Sequence, residues 1–167
     1  MIISGKIKNK NALSLFGCFI SLSIITMTCF FPFPHQSELI DDIISNNEGV
    51  LNNYIPFHTI YTSFVDAIKY HVYQPLLYSI IGNIVLFIPL GFFLSLGIEN
   101  KIRILGCICF SSFSIEMFQY FFNSILEFNY RSVDIDDFVL NVCGGIIGYI
   151  MVYFINEKIK KRKINLC

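Results

Sequence analysis

Three acids crowd one short segment, at Asp134, Asp136 and Asp137, and Arg131 stands just ahead of them. Carboxylates at that density could hold Mg²⁺, and an arginine beside them could take two oxygens of a diphosphate. A second group lies earlier, where Glu116 and Gln119 are three residues apart. A third is Asp137 with Asn141, four apart. Residues at either spacing share one face of a helix. Asn83 sits alone in a long apolar run. Glu116 is a candidate general acid or base, with Asp136 and Asp137 as further catalytic candidates. The competing reading is structural. Ser132 or Asp134 could cap a helix, Asp136 and Asp137 could complement its dipole, and the amides could bond helix to helix. That reading leaves Glu116 in mid-helix unexplained, so it is either paired with Arg131 or protonated by desolvation.

The elements that position these residues are membrane spans. Of 167 residues, 54% are hydrophobic and only 14% charged, with 18 Phe, 9 Tyr and no Trp. Soluble domains carry about 25% charge, so a soluble globule and a disordered chain are both excluded. Four apolar runs predict transmembrane helices at about 12–31, 76–98, 104–122 and 138–155. Each is near the roughly 20 residues that cross a bilayer. Lipid offers no partner for open backbone groups, so the fold class is all-α: a polytopic four-helix transmembrane bundle. The first run, preceded by Lys6, Lys8 and Lys10, resembles a secretory signal, but it is too long and no small-residue cleavage site follows. It reads as an uncleaved anchor.

Charge fixes the orientation. The tails 1–11 and 156–167 and the short connection with Lys101 and Arg103 are basic. Cationic loops stay on the cytoplasmic side, so both tails are expected there. The acidic segments 32–75 and 123–137 then face outward. Asn83, Glu116, Gln119 and Asn141 all fall within about two turns of the outer ends of their spans, and Arg131, Asp134, Asp136 and Asp137 sit at the rim above. An ionisable side chain inside a bilayer is costly and marks a candidate site. The expectation is therefore an outward-facing polar pocket that binds ligand through all eight residues. Basic tails of this kind suit anionic lipid headgroups and offer little to nucleic acid.

Within the first outer loop, Leu39, Ile40, Ile43 and Ile44 keep helical spacing, as do Phe64, Val65 and Ile68 between residues 60 and 73. Both predict short helices, either lying on the outer leaflet or packed on the bundle mouth. His35, His58 and His71 read as ordinary loop residues, not metal ligands. Gly144 and Gly148 are four apart and predict a close helix contact. Pro89 interrupts the second span and frees a carbonyl near Val85. Cys18, Cys29 and Cys143 read as small buried hydrophobes, and Cys107 and Cys109 point to different faces.

Asn83-Ile-Val-Leu-Phe87-Ile-Pro89-Leu-Gly91 resembles the N-x-x-x-F-x-P-x-G motif of the VanZ-like membrane proteins. Glu116-Met-Phe-Gln119 resembles their E-x-x-Q. The stretch from Arg131 through Asp134, Asp136, Asp137 and Asn141 to Gly144 and Gly148 resembles their R-x-x-D-x-D-D-x-x-x-N-x-x-G-x-x-x-G. Asn53-Tyr-Ile-Pro56-Phe57 is similar to an N-x-x-P-F element ahead of the second span. The segment from Gln119 to Arg131 is longer than in compact members. The resemblance implies a bacterial cell-envelope protein of the cytoplasmic membrane, and its founding member is associated with glycopeptide resistance, teicoplanin in particular. It implies no reaction.

Two functions follow. One is a non-catalytic protein without cofactor, binding or modulating an envelope lipid, a lipid-linked wall precursor or a glycopeptide. The alternative is a metal-dependent enzyme acting on a lipid-linked phosphate at the outer leaflet, with Mg²⁺ at Asp134, Asp136 and Asp137. A transporter ranks third, because four spans would require a homo-oligomer.

Overall fold

The computed structural model describes residues 2–31 and 50–164, with side chains from 10 to 31 and 50 to 162. Five helices cover most of them: α1 (Ile2–Phe30), α2 (His58–Tyr70), α3 (Gln74–Gly97), α4 (Lys101–Leu126) and α5 (Ile135–Ile164). Four of these, α1, α3, α4 and α5, are long and apolar enough to cross a membrane. The chain is thus a multi-pass, all-helical membrane protein.

The helices outrun the apolar stretches that predict them. Helix α4 begins at Lys101 and continues to Leu126, and α5 runs 30 residues, about 45 Å. Charged residues end the hydrocarbon contact but do not end a helix, since Lys, Arg and Glu are good helix formers. Local chemistry sets the actual ends. Asn100 accepts the N–H groups of Ile102 and Arg103 at 2.9 and 3.3 Å and so caps α4. Pro75 lies in the first turn of α3, where its missing N–H costs no bond. Glu127, at φ 60°, closes α4 in the left-handed region.

Helix α3 is the hub. It packs on α1, α2, α4 and α5, and its pairing with α5 is the most extensive. Small residues explain that approach. A Cβ on Gly91 would strike the carbonyl of Gly145, and one on Gly144 or Gly148 would strike the carbonyls of Ile84 or Ile88. The two backbones thus meet directly, as small residues at helix interfaces permit. Helix α1 is tied to α3 by Ser14, whose hydroxyl donates to the Phe93 carbonyl at 2.7 Å. It gives Ile25 and Phe30 to a core shared with Phe87, Leu90, Ile104, Ile108 and Ile115.

The outside is the apolar part. Phe19 and Phe110 are 70% and 72% exposed, while Asp136 and Asn141 are at most 2% exposed. That inversion is expected where the solvent is lipid. Cys143 is exposed, contrary to the expectation from sequence. Its neighbours Gly144 and Gly145 face α3 and α4, which turns position 143 outward.

The second helix expected in the long loop is present as α2, three residues shorter at its C-terminal end because His71 adopts φ 56°. Ala67 is buried beneath it, while Phe64, Val65 and Ile68 face outward. Helix α2 therefore both packs on the bundle and presents an apolar face. The helix expected near Leu39–Ile44, and His35, lie outside the described residues.

Candidate functional site

The polar residues gather where α4 ends and α5 begins, the acidic end of the bundle. Register between these two helices is fixed at three levels. The Ser112 hydroxyl donates to the Phe138 carbonyl at 3.3 Å. One turn along α4, Glu116 Oε2 accepts the backbone N–H of Asp134 at 2.9 Å. Farther on, Asn123 Oδ1 accepts the N–H groups of Tyr130 and Arg131, and its amide donates to the Arg131 carbonyl at 2.7 Å. One face of α4, carrying Ser112, Glu116, Gln119 and Asn123, is buried and polar throughout.

Each of the three neighbouring acids has a separate task. Asp134 caps α5, its Oδ1 accepting the N–H of Asp136 at 2.8 Å. The same oxygen accepts the Asn53 amide at 2.8 Å. Asn53 also joins the backbone of that segment: its N–H donates to the Val133 carbonyl at 2.9 Å, and its carbonyl accepts from Ile135 at 3.1 Å. This makes a parallel bridge between Asn53 and Asp134. Asp136 turns to another helix, where its carboxylate accepts the N–H of Phe57 and, at 3.1 Å, that of Ile60. It thereby caps α2, whose own N-cap residue, Phe57, supplies no side-chain bond. Asp137 faces α3 and accepts the Asn83 amide at 2.5 Å.

This geometry bears on the three-carboxylate Mg²⁺ alternative. The three carboxylates reach toward Asn53, α2 and α3, so they do not converge on one point. Among the described residues, no three His, Cys, Asp or Glu side chains gather as a metal would require. The three-carboxylate Mg²⁺ site expected from the D-x-D-D spacing is not formed, because Asp134 is bonded to Asn53, Asp136 to the start of α2 and Asp137 to Asn83.

Arg131 does not pair with Glu116, as one of the alternatives had it. Its Nη2 donates to the Phe31 carbonyl at 3.2 Å, and the guanidinium lies 5.3 Å from the centre of the Tyr130 ring. Glu116 instead satisfies a backbone N–H at the loop-to-helix junction. Among the described residues, three buried side-chain polar atoms have no hydrogen-bond partner: Gln119 Oε1, Asn141 Oδ1 and Arg131 Nε. All three belong to residues singled out from sequence. Buried polar atoms are paired in the great majority of cases, so each requires an explanation.

The structure therefore joins Asn83 to Asp137, Glu116 to Asp134, and Asp134 to Asp136 through hydrogen bonds. Gln119 and Asn141 sit on the same helix faces without such bonds. Two anchoring residues, Asn53 and Asn123, were not among the candidates. Asn123 continues the face of Glu116 and Gln119 by one turn, so helical spacing could have found it. Asn53 lies far away in sequence, and its only signal was its place in the N-x-x-P-F element.

No curated protein and no solved structure matches the chain. Residues 16–156 match the VanZ/LLP1 family, and with that span, its four membrane-crossing helices and the polar end they enclose, the chain belongs to that family.

Proposed function

We propose that this protein is a non-catalytic envelope protein of the bacterial cytoplasmic membrane, with both termini cytoplasmic and the acidic end of the bundle facing outward. Its polar cluster binds or modulates an envelope molecule: a membrane lipid, a lipid-linked wall precursor or a glycopeptide. The binding residues are Asn83, Glu116, Gln119, Asp137 and Asn141, with Arg131, Asp134 and Asp136 shaping the rim.

The observation that carries this reading is the pair of unpartnered acceptors. Gln119 Oε1 and Asn141 Oδ1 are buried without a partner, three residues from Glu116 and four from Asp137 along their helices. An unsatisfied buried acceptor costs roughly 1–3 kcal/mol. Hydroxyl, amide or amine donors on a bound molecule would offset that cost. Sugars, peptides and lipid headgroups all carry such donors. Orientation rests on the basic tails and on Lys101 and Arg103 at the opposite end.

The test uses protein extracted with its bound molecules and examined by native mass spectrometry. Wild type should carry a hydroxyl- or amine-bearing envelope molecule. Asn141→Leu and Gln119→Leu remove the unpartnered acceptors at similar side-chain size, so both variants should insert and lose most of that adduct. Equal adduct in both variants would overturn the proposal.

A further inference from the structure

A separate feature lies on another side of α4, between α1 and α4. Here a groove of about 670 Å³ is lined by Leu22, Ile25, Phe30, Phe31, Phe118 and Phe122, among others. This lies within the range of roughly 300–1,000 Å³ typical of ligand sites. Of the three hydroxyl residues in its wall, Thr26, Ser111 and Ser114, two are turned back on their own helices. Thr26 donates to the Leu22 carbonyl at 2.8 Å, and Ser114 donates to the Phe110 carbonyl at 2.7 Å. The protons of these two hydroxyls are thus committed to the backbone, and the rest of the wall is apolar apart from Ser111.

Its length is informative. The lining runs from Leu22 to Phe31 on α1 and from Phe110 to Phe122 on α4. At 1.5 Å per residue this is roughly 13–18 Å, about half of a hydrocarbon core some 30 Å thick. The groove thus has the depth of one leaflet. It reaches the acidic end at Phe30 and Phe31.

At that mouth stands a cation. Arg131 donates through Nη2 to the carbonyl of Phe31, a residue of the groove wall. Its neighbour Tyr130 donates to the carbonyl of Phe30, also in the wall, at 2.6 Å. Arg131 is the only Lys or Arg between residues 104 and 157. Its Nε is buried without a partner, and no carboxylate among the described residues neutralises it. A guanidinium held in place by one Nη bond presents a further N–H edge, the geometry that favours phosphate.

We propose that this groove is a binding site for an anionic phospholipid, one acyl chain lying between α1 and α4 and the phosphate resting on Arg131. The charge match selects an anionic headgroup, and the one-leaflet depth selects a membrane chain. The groove shares Arg131 with the rim of the proposed cluster but none of its lining, so Ser114→Phe tests the groove alone and Asn141→Leu tests the cluster alone.

The test is lipid competition on the purified full-length protein, read by native mass spectrometry. The probes are dioleoyl phosphatidylglycerol and dioleoyl phosphatidylcholine at equal concentration, which share chains and phosphate but differ in net charge. Wild type should favour phosphatidylglycerol by about tenfold, on the order of one unit-charge attraction at a water-exposed site, because choline cancels the phosphate charge in the other lipid. Arg131→Gln should bind both lipids equally. Ser114→Phe, which fills the groove from a lipid-facing position, should lose the favoured adduct and keep the melting temperature. If Arg131→Gln fails to insert, Ser114→Phe and Arg131→Lys decide the matter, since lysine should weaken the preference without abolishing it. Equal binding of both lipids by wild type, an undiminished preference in Ser114→Phe or Arg131→Gln, or a lipid-free dimer seated on this face would each overturn the proposal.

Discussion

Asp136, in the first turn of α5, accepts the N–H of Ile60 at 3.1 Å and so caps a helix to which it does not belong. The bond ties the short helix α2 to the last span. An acid that sequence spacing offers to a metal is thus committed to backbone.

Replacing Asp136 should therefore loosen α2 before it touches any chemistry. Asp136→Ala leaves the N–H groups of Phe57 and Ile60 unsatisfied and should cost about 1–3 kcal/mol, while Asp136→Asn, which retains one acceptor, should cost less. Denaturant unfolding in detergent, with hydrogen exchange over residues 57–70, checks both the size and the location. Unchanged protection of α2 in Asp136→Ala would contradict the capping role.

Asn83 and Asp137 should behave as a coupled pair. The amide-to-carboxylate bond of 2.5 Å spans α3 and α5 inside the bundle. Asn83→Ala and Asp137→Ala are each expected to destabilise, and a double-mutant cycle should return a coupling of roughly 0.5–3 kcal/mol. Additive losses would mean that the bond contributes nothing.

The glycines divide into two groups with opposite expected outcomes. Gly91→Ala and Gly148→Ala place a methyl against the backbone of the facing helix and should destabilise by about 1–3 kcal/mol. Gly82→Ala and Gly106→Ala meet nothing within 4 Å and should be neutral or stabilising by up to about 1 kcal/mol. Thermal melting of the four variants distinguishes them. Melting alike in all four would show that the α3–α5 approach is not as close as described.

Topology can be read by cysteine labelling in a cysteine-free background. An impermeant reagent applied to intact cells should label single cysteines placed between residues 124 and 130. It should leave Lys8→Cys and Lys161→Cys unlabelled. Labelling of either tail would reverse the orientation and move the polar cluster to the inner face.

The spans were legible because apolar length is a direct measure of what a bilayer requires. Helix ends were less so, since Asn100 and Glu127 set them through local bonds that hydropathy does not register. In the site, the shared faces of Glu116 with Gln119 and of Asp137 with Asn141 followed from helical spacing. What each acid touches did not follow. Asp134 meets Asn53 across 81 residues of chain, and Asp136 meets Phe57 across 79. Pairings at such separation come from how helices fold back on one another, and no local pattern encodes them. The three acids therefore do not share one ligand position among the described residues, and the unpartnered Gln119 Oε1 and Asn141 Oδ1 could emerge only once their neighbours were known.

A polar cluster that binds a molecule, and does not merely hold helices together, should respond to loss of one charge even where the fold does not. Glu116→Gln tests this most directly, because glutamine keeps the shape and can still accept the Asp134 N–H that Glu116 accepts at 2.9 Å. The measurement is the amount of co-purified envelope molecule per protein in Glu116→Gln relative to wild type, by native mass spectrometry, with melting temperature recorded on the same preparations. Glu116→Gln should melt within a few degrees of wild type and lose at least tenfold of the bound molecule, the equivalent of about 1.4 kcal/mol. Full retention of that molecule in a variant that melts like wild type would contradict the binding role.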